Sequence, residues 1–223
     1  MKKLLGTLTL ITLLQTCPII AHAQSPNAIP VTNSEYIQKV IDSQLMDNFP
    51  DGEFYRDRLI SRAELASILV KAFYLDKRLI NQQKQSIFVP DVPSSNSAYQ
   101  DIQIVLKTEI MKGYRGNMFF PNQKVTRAEG LAIFAQAYGV FQFPDDTVNE
   151  ILSSHPDAKN IPDWARKAIA TVITEEFINM DSQGNIYPLR PMTRGDLAYV
   201  LSKYLQRQQK QPETPIVPGI SPF

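Results

Sequence analysis

Apolar residues recur along this chain at helical spacing, in three pairs of segments. The first segment of each pair carries the columns Ile37, Ile102 and Ile169, then Val40, Val105 and Val172, then Ile41, Leu106 and Ile173. The second segments run Leu65-Ala66-Ser67-Ile68-Leu69, Gly130-Leu131-Ala132-Ile133-Phe134 and Leu197-Ala198-Tyr199-Val200-Leu201. A period of three to four residues predicts helices with one apolar face. Between the two helices of each pair lies a loop of constant length, so one unit reads helix, loop, helix. One such pair cannot bury its apolar face alone, whereas three together close a shared core. The expected fold is all-α, a three-repeat bundle.

The loops align column by column. They begin at Met46, Met111 and Ile178 and end on the strings Ile60-Ser61-Arg62-Ala63-Glu64, Val125-Thr126-Arg127-Ala128-Glu129 and Met192-Thr193-Arg194-Gly195-Asp196. One column holds Gly52, Asn117 and Gly184, residue types that tolerate positive φ, and predicts a turn. Another holds Tyr55, Phe120 and Tyr187 and is expected to anchor each loop on the core.

Ser or Thr followed three residues later by an acid, just before an apolar run, is a capping box. The hydroxyls of Ser61, Thr126 and Thr193 are expected to cap helix N–H groups. Glu64, Glu129 and Asp196 should reach back to the cap, the shorter Asp196 less well. Capping leaves the arginines unexplained. Arg62, Arg127 and Arg194 lie in a first helical turn, where the helix dipole favours acids. Either they pair with acids of a neighbouring repeat, or guanidinium and helix terminus together hold an outside anion such as a carboxylate or phosphate. The residues by themselves leave both readings open.

These strings resemble S-layer homology repeats, the cell-wall anchoring modules of bacterial envelope proteins. The resemblance rests on the three T-R-A-E-like strings in register, on Gly113-Tyr114-Arg115-Gly116 with Phe120-Pro121-Asn122, on Phe88-Val89-Pro90-Asp91-Val92, and on Trp164-Ala165 with Ala168-Ile169. It covers roughly residues 30–206. It implies pseudo-threefold symmetry and inter-repeat grooves that bind a peptidoglycan-linked cell-wall polysaccharide, often one bearing a pyruvate ketal. It also implies that Arg62, Arg127 and Arg194, with Ser61, Thr126 and Thr193, face that acid. Gly52, Gly113, Gly116 and Gly184 are further candidates, where backbone approaches a sugar. Trp164 reads either as a packed helix start or as a platform for a sugar ring. The second loop is nearest the family pattern, so the groove involving Arg127 is expected to work best.

Targeting and composition narrow the setting. Residues 1–23 read as a secretory signal peptide, with Lys2 and Lys3, an apolar stretch over residues 4–14, and Ala21-His22-Ala23 before the cut. Lipoprotein processing at Cys17 is a weaker alternative, because Gln15 and Thr16 fit poorly before it. Export to the periplasm or cell wall is expected, with no membrane span left after cleavage. The units are then residues 24–87, 88–152 and 153–206, the first two with linkers, and a Pro/Gln-rich tail at 207–223 expected to be disordered. Cleavage removes the only cysteine and takes the formal charge from +1 to −1. That excludes disulfides and cysteine metal sites, and argues against a nucleic-acid partner.

No catalytic constellation, metal site or cofactor motif is present. His155 reads as an exposed loop residue, Asp145-Asp146 and Glu175-Glu176 as solvated acids, and Asp51, Asp91 and Asp157 as isolated turn acids. The expectation is a non-enzymatic wall-binding module with no further domain attached. The rival is an envelope adaptor for a protein partner, with sugar binding lost and the arginines internal.

Overall fold

The second helix of each repeat starts at its arginine, because the preceding Ser or Thr breaks into extended backbone and caps the turn. Glu64 N donates to Ser61 Oγ at 3.2 Å, Glu129 N to Thr126 Oγ1 at 3.2 Å and Asp196 N to Thr193 Oγ1 at 3.1 Å. In the computed structural model, residues 35–79 and 85–210 are described; the signal segment and most of the tail lie outside them. Among the described residues the α-helices are α1 (Glu35–Asp42), α2 (Arg62–Phe73), α3 (Tyr99–Lys107), α4 (Arg127–Tyr138), α5 (Asp145–Ser153), α6 (Arg166–Thr174) and α7 (Arg194–Lys210). The repeats contribute α1 and α2, α3 and α4, and α6 and α7. No helix among these residues is long and apolar enough to cross a membrane.

Packing is cyclic. The first helix of each repeat lies on the second helix of the repeat before it: α3 on α2, α6 on α4, and α1 on α7, which closes the ring. The residues before the arginines meet at the centre. Ile60 N donates to Met192 O at 3.0 Å, Met192 N to Val125 O at 2.9 Å, and Val125 N to Ile60 O at 3.3 Å. This closed triangle of backbone bonds, with all three side chains buried, marks the pseudo-threefold axis. In the core, Phe134 packs edge-on to Phe73, Phe177 and Tyr204, with ring centres 5.3, 5.7 and 5.9 Å away.

The turn column behaves as expected, with positive φ at Gly52, Asn117 and Gly184. The aromatic column does not. Tyr55, Phe120 and Tyr187 also take positive φ, and none of them is buried. The residues just before them, Phe54, Phe119 and Ile186, enter the core instead. Asp91 and Asp157 are not isolated. Asp91 accepts from Phe119 N and Phe120 N at 2.9 and 2.6 Å, and Asp157 accepts from Ile186 N and Tyr187 N at 2.9 and 2.6 Å. Each carboxylate straps its own repeat's opening segment to its loop.

Four further readings change. The segment taken as a linker after α4 contains α5, tied to α6 by Lys167–Asp145 at 3.1 Å and by Arg166 Nη2 to Asn149 Oδ1 at 2.9 Å. Glu175 is not solvated, since it accepts from Tyr138 Oη at 2.9 Å and pairs with Arg207 at 3.1 Å. That pair also extends α7 beyond residue 206. His155 is partly buried, its Nδ1 donating to Gly184 O at 2.9 Å.

Candidate functional site: the inter-repeat grooves

Each arginine reaches into the loop of the next repeat and takes hold of the same two carbonyls. Arg62 Nε donates to Phe119 O at 2.8 Å and its Nη2 to Lys112 O at 2.9 Å. Arg127 bonds Ile186 O and Asn179 O in the same way, both at 2.7 Å. Arg194 bonds Phe54 O at 3.0 Å and Asp47 O at 2.8 Å. The backbone follows the same cycle: Arg62 N, Arg127 N and Arg194 N donate to Gln123 O, Arg190 O and Arg58 O at 2.8–2.9 Å. The next N–H groups, of Ala63, Ala128 and Gly195, donate to Pro121 O, Pro188 O and Arg56 O at 2.7–3.0 Å. Counting the Ser/Thr caps, the first-turn N–H groups therefore bond protein, and none is left to join a guanidinium in holding an outside anion. Gly195 replaces alanine where Arg56 replaces proline; a Cβ there would sit 3.0 Å from the Arg56 carbonyl oxygen.

The three sites differ in what meets the remaining guanidinium nitrogen, Nη1. At Arg127 it meets Asp196 at 2.9 Å and Asn179 Oδ1 at 3.0 Å. At Arg194 it meets Glu64 at 2.6 Å. Each of these acids takes a second arginine, Arg190 on Asp196 at 2.9 Å and Arg58 on Glu64 at 3.0 Å. At Arg62 the corresponding acid is Glu129, which instead accepts from Thr126 N at 2.8 Å and completes its capping box. Arg62 Nη1 has neither hydrogen bond nor ion pair among the described residues. Asp196 also closes its box, through Thr193 N at 2.9 Å, whereas Glu64 is drawn off to the arginines. The short acid thus caps better than expected, and the long Glu64 does not cap.

Burial is deepest at the Arg127 site, whereas Arg62 and Arg194 are both 5% exposed. Arg127 is 0% exposed and Asp196 4% exposed. The register explains this closure: Tyr36 and Tyr199, in edge contact at 6.0 Å, stand where the Arg62 site has Ala168 and Ala132. The groove expected to work best is therefore sealed at its arginine. Burial would raise the Asp196 carboxyl, but the Arg127 and Arg190 guanidinium groups outweigh it and hold it below the usual carboxylate range. Burial pulls the Arg62 and Arg127 guanidinium groups down from the ordinary arginine value.

Among the described residues, the grooves at Arg62 and Arg194 stay open. One, of about 560 Å³, is lined by Arg62, Lys112, Gly113, Tyr114, Glu129, Ala132, Trp164, Lys167 and Ala168 among others. Trp164 is 63% exposed and is no packed helix start. The Arg62 guanidinium lies 4.7 Å from the ring centres of both Tyr114 and Phe119, which fix its plane. The other groove, of about 520 Å³, contains Ser61 and Arg194, and its arginine is already occupied by Glu64. Of the residues singled out from sequence, Arg62, Gly113 and Trp164 come together. Thr126, Thr193, Arg127, Gly52, Gly116 and Gly184 line neither of these grooves. Lys112, Tyr114 and Lys167 were missed, since only the tertiary fold brings α6 beside the second loop. Among the described residues no His/Cys/Asp/Glu cluster suited to a metal ion occurs.

Comparison with known proteins agrees with this architecture. The S-layer homology domain family matches the chain at residues 30–66, 90–129 and 156–198. The chain is 25% identical over 201 residues to a surface-layer 125 kDa protein of Lysinibacillus sphaericus, covering 88% of this chain and 16% of that protein. It is 31% identical over 102 residues to a cellulosome-anchoring protein of Acetivibrio thermocellus, covering 45% of this chain and 22% of that one. It is 23% identical over 216 residues to an endoglucanase of a Bacillus species, covering 92% of this chain and 22% of the enzyme. The chain thus spans less than a quarter of the length of each of these relatives.

Proposed function

The chain belongs to the S-layer homology domain family, and we propose on that basis that it is a non-catalytic module that docks to an acidic, pyruvate-ketal-bearing polysaccharide of the cell wall. The observation that carries this reading is Nη1 of Arg62, which makes no hydrogen bond to protein among the described residues, on a residue only 5% exposed that lines an open groove. A guanidinium partly removed from water, with Glu129 and Asp91 near enough to act on it but neither paired to it, gains from a carboxylate, and its planar fork suits one. Arg62, Lys112 and Lys167 outnumber Glu109 and Glu129 in the groove lining and leave it net positive, and Trp164 offers an exposed ring face for a sugar. The relatives with surface-layer and cellulosome-anchoring names fit attachment at the cell envelope, reached by export. The endoglucanase is much longer than the matched stretch, which fits an attachment role for these repeats beside a separate catalytic domain.

A second reading has its own support. Arg127 and Arg194 pair with acids of the next repeat, as a protein-binding adaptor with internal arginines would have them. Under the first reading this describes two sites and leaves the Arg62 groove as the working one. The test is sedimentation of the purified mature protein with cell-wall sacculi. Trp164→Ala combined with Lys112→Ala should weaken binding at least tenfold while leaving the thermal midpoint unchanged. Equal binding by this variant would remove the Arg62 groove from the account.

A further inference from the structure

We infer that Gln123 is the residue that keeps the Arg62 groove competent, by failing to recruit Glu129. This inference rests on the reading of that groove as the docking site. The positions equivalent to Gln123 are Arg58 and Arg190, each six residues before its acid. Arg58 Nη1 bonds both Glu64 oxygens at 3.0 Å, and Arg190 Nη2 bonds both Asp196 oxygens at 2.9 Å. In both cases the acid so held also takes Nη1 of the arginine from the preceding repeat. The internal carboxylate then occupies the place that a ligand carboxylate would take. In the second repeat the position is an exposed glutamine, without charge, and Glu129 stays on the Thr126 cap. Arg62 keeps its free nitrogen, although Glu129 lines the same groove. The side chain at this position therefore sets whether a groove carries its own counter-ion, and with it the number of acid-binding grooves per molecule.

The test is Gln123→Arg in the full mature chain, alone and combined with Glu129→Gln, with sacculi as the probe. The single variant should bind at least tenfold more weakly than wild type. The double variant should bind as Glu129→Gln alone does, because the recruited acid is gone while the bulk of the new arginine remains. If wild type binds and Gln123→Arg binds equally, the inference fails while the docking reading stands. If the double variant is not rescued, the new side chain merely obstructs the groove, and the inference fails too. An independent readout holds even if wild type does not bind sacculi and the docking reading falls. Thermal double-mutant cycles of Arg62→Ala and Glu129→Gln should be additive in the wild-type background and non-additive in the Gln123→Arg background. Additivity in both backgrounds would overturn the inference.

Discussion

At the scale of single residues, one side chain type serves two purposes in this molecule. Arg127 belongs to the interior. Its three nitrogens bond two loop carbonyls, Asn179 and Asp196. Removing it leaves Asp196 buried with half its counter-charge, so Arg127→Ala should cost about 3–5 kcal/mol, read from the urea midpoint. A loss of under about 1 kcal/mol would show that the buried network contributes little. Asp196 gives the network a pH signature. Its folded carboxyl lies below the usual range, so its contribution is complete above the unfolded-chain value of about 3.9 and is lost as pH falls through the lower folded value. Stability should therefore drop below about pH 4, and Asp196→Asn should flatten that drop. A profile unchanged by the substitution would contradict this assignment. The caps were legible in sequence because the Ser/Thr and acid pattern is local. The destination of each arginine was not, since its partners lie 50 or more residues away in the chain.

At the scale of elements, the helical columns read from apolar spacing became α1 to α4, α6 and α7, with Val40, Ile102, Val105, Ile169 and Val172 fully buried. α5 escaped because only Val148 and Leu152 on it are buried, too few to set a period. Another hidden feature is the end of each first helix. Gln44, Glu109 and Glu176 all adopt left-handed backbone, a position that sequence reading assigns to glycine. At the end of α6, Phe177 N reaches back to Val172 O at 2.8 Å, as in a Schellman stop. Exposed Glu176 bears a steric cost there, so Glu176→Gly should raise stability by about 0.5–1 kcal/mol in thermal melts. A decrease would mean that the Glu176 side chain makes a compensating contact.

At the scale of the whole molecule, near-threefold symmetry makes the grooves comparable, and their differences carry the functional argument. The repeat period made the bundle legible before any coordinates. The groove inventory was not, because it turns on substitutions that look neutral in sequence: Tyr36 and Tyr199 against Ala168 and Ala132, and Gln123 against Arg58 and Arg190. Together they seal one site, give a second an internal carboxylate, and leave the Arg62 site open. The central claim is that this open site takes a carboxylate of the wall polymer. The most direct measurement compares sedimentation of the wild-type mature protein with untreated sacculi and with sacculi stripped of ketal-linked pyruvate by mild acid. Binding to the first is expected, with at least a tenfold loss on the second. Equal binding to both, or to neither, would contradict the claim.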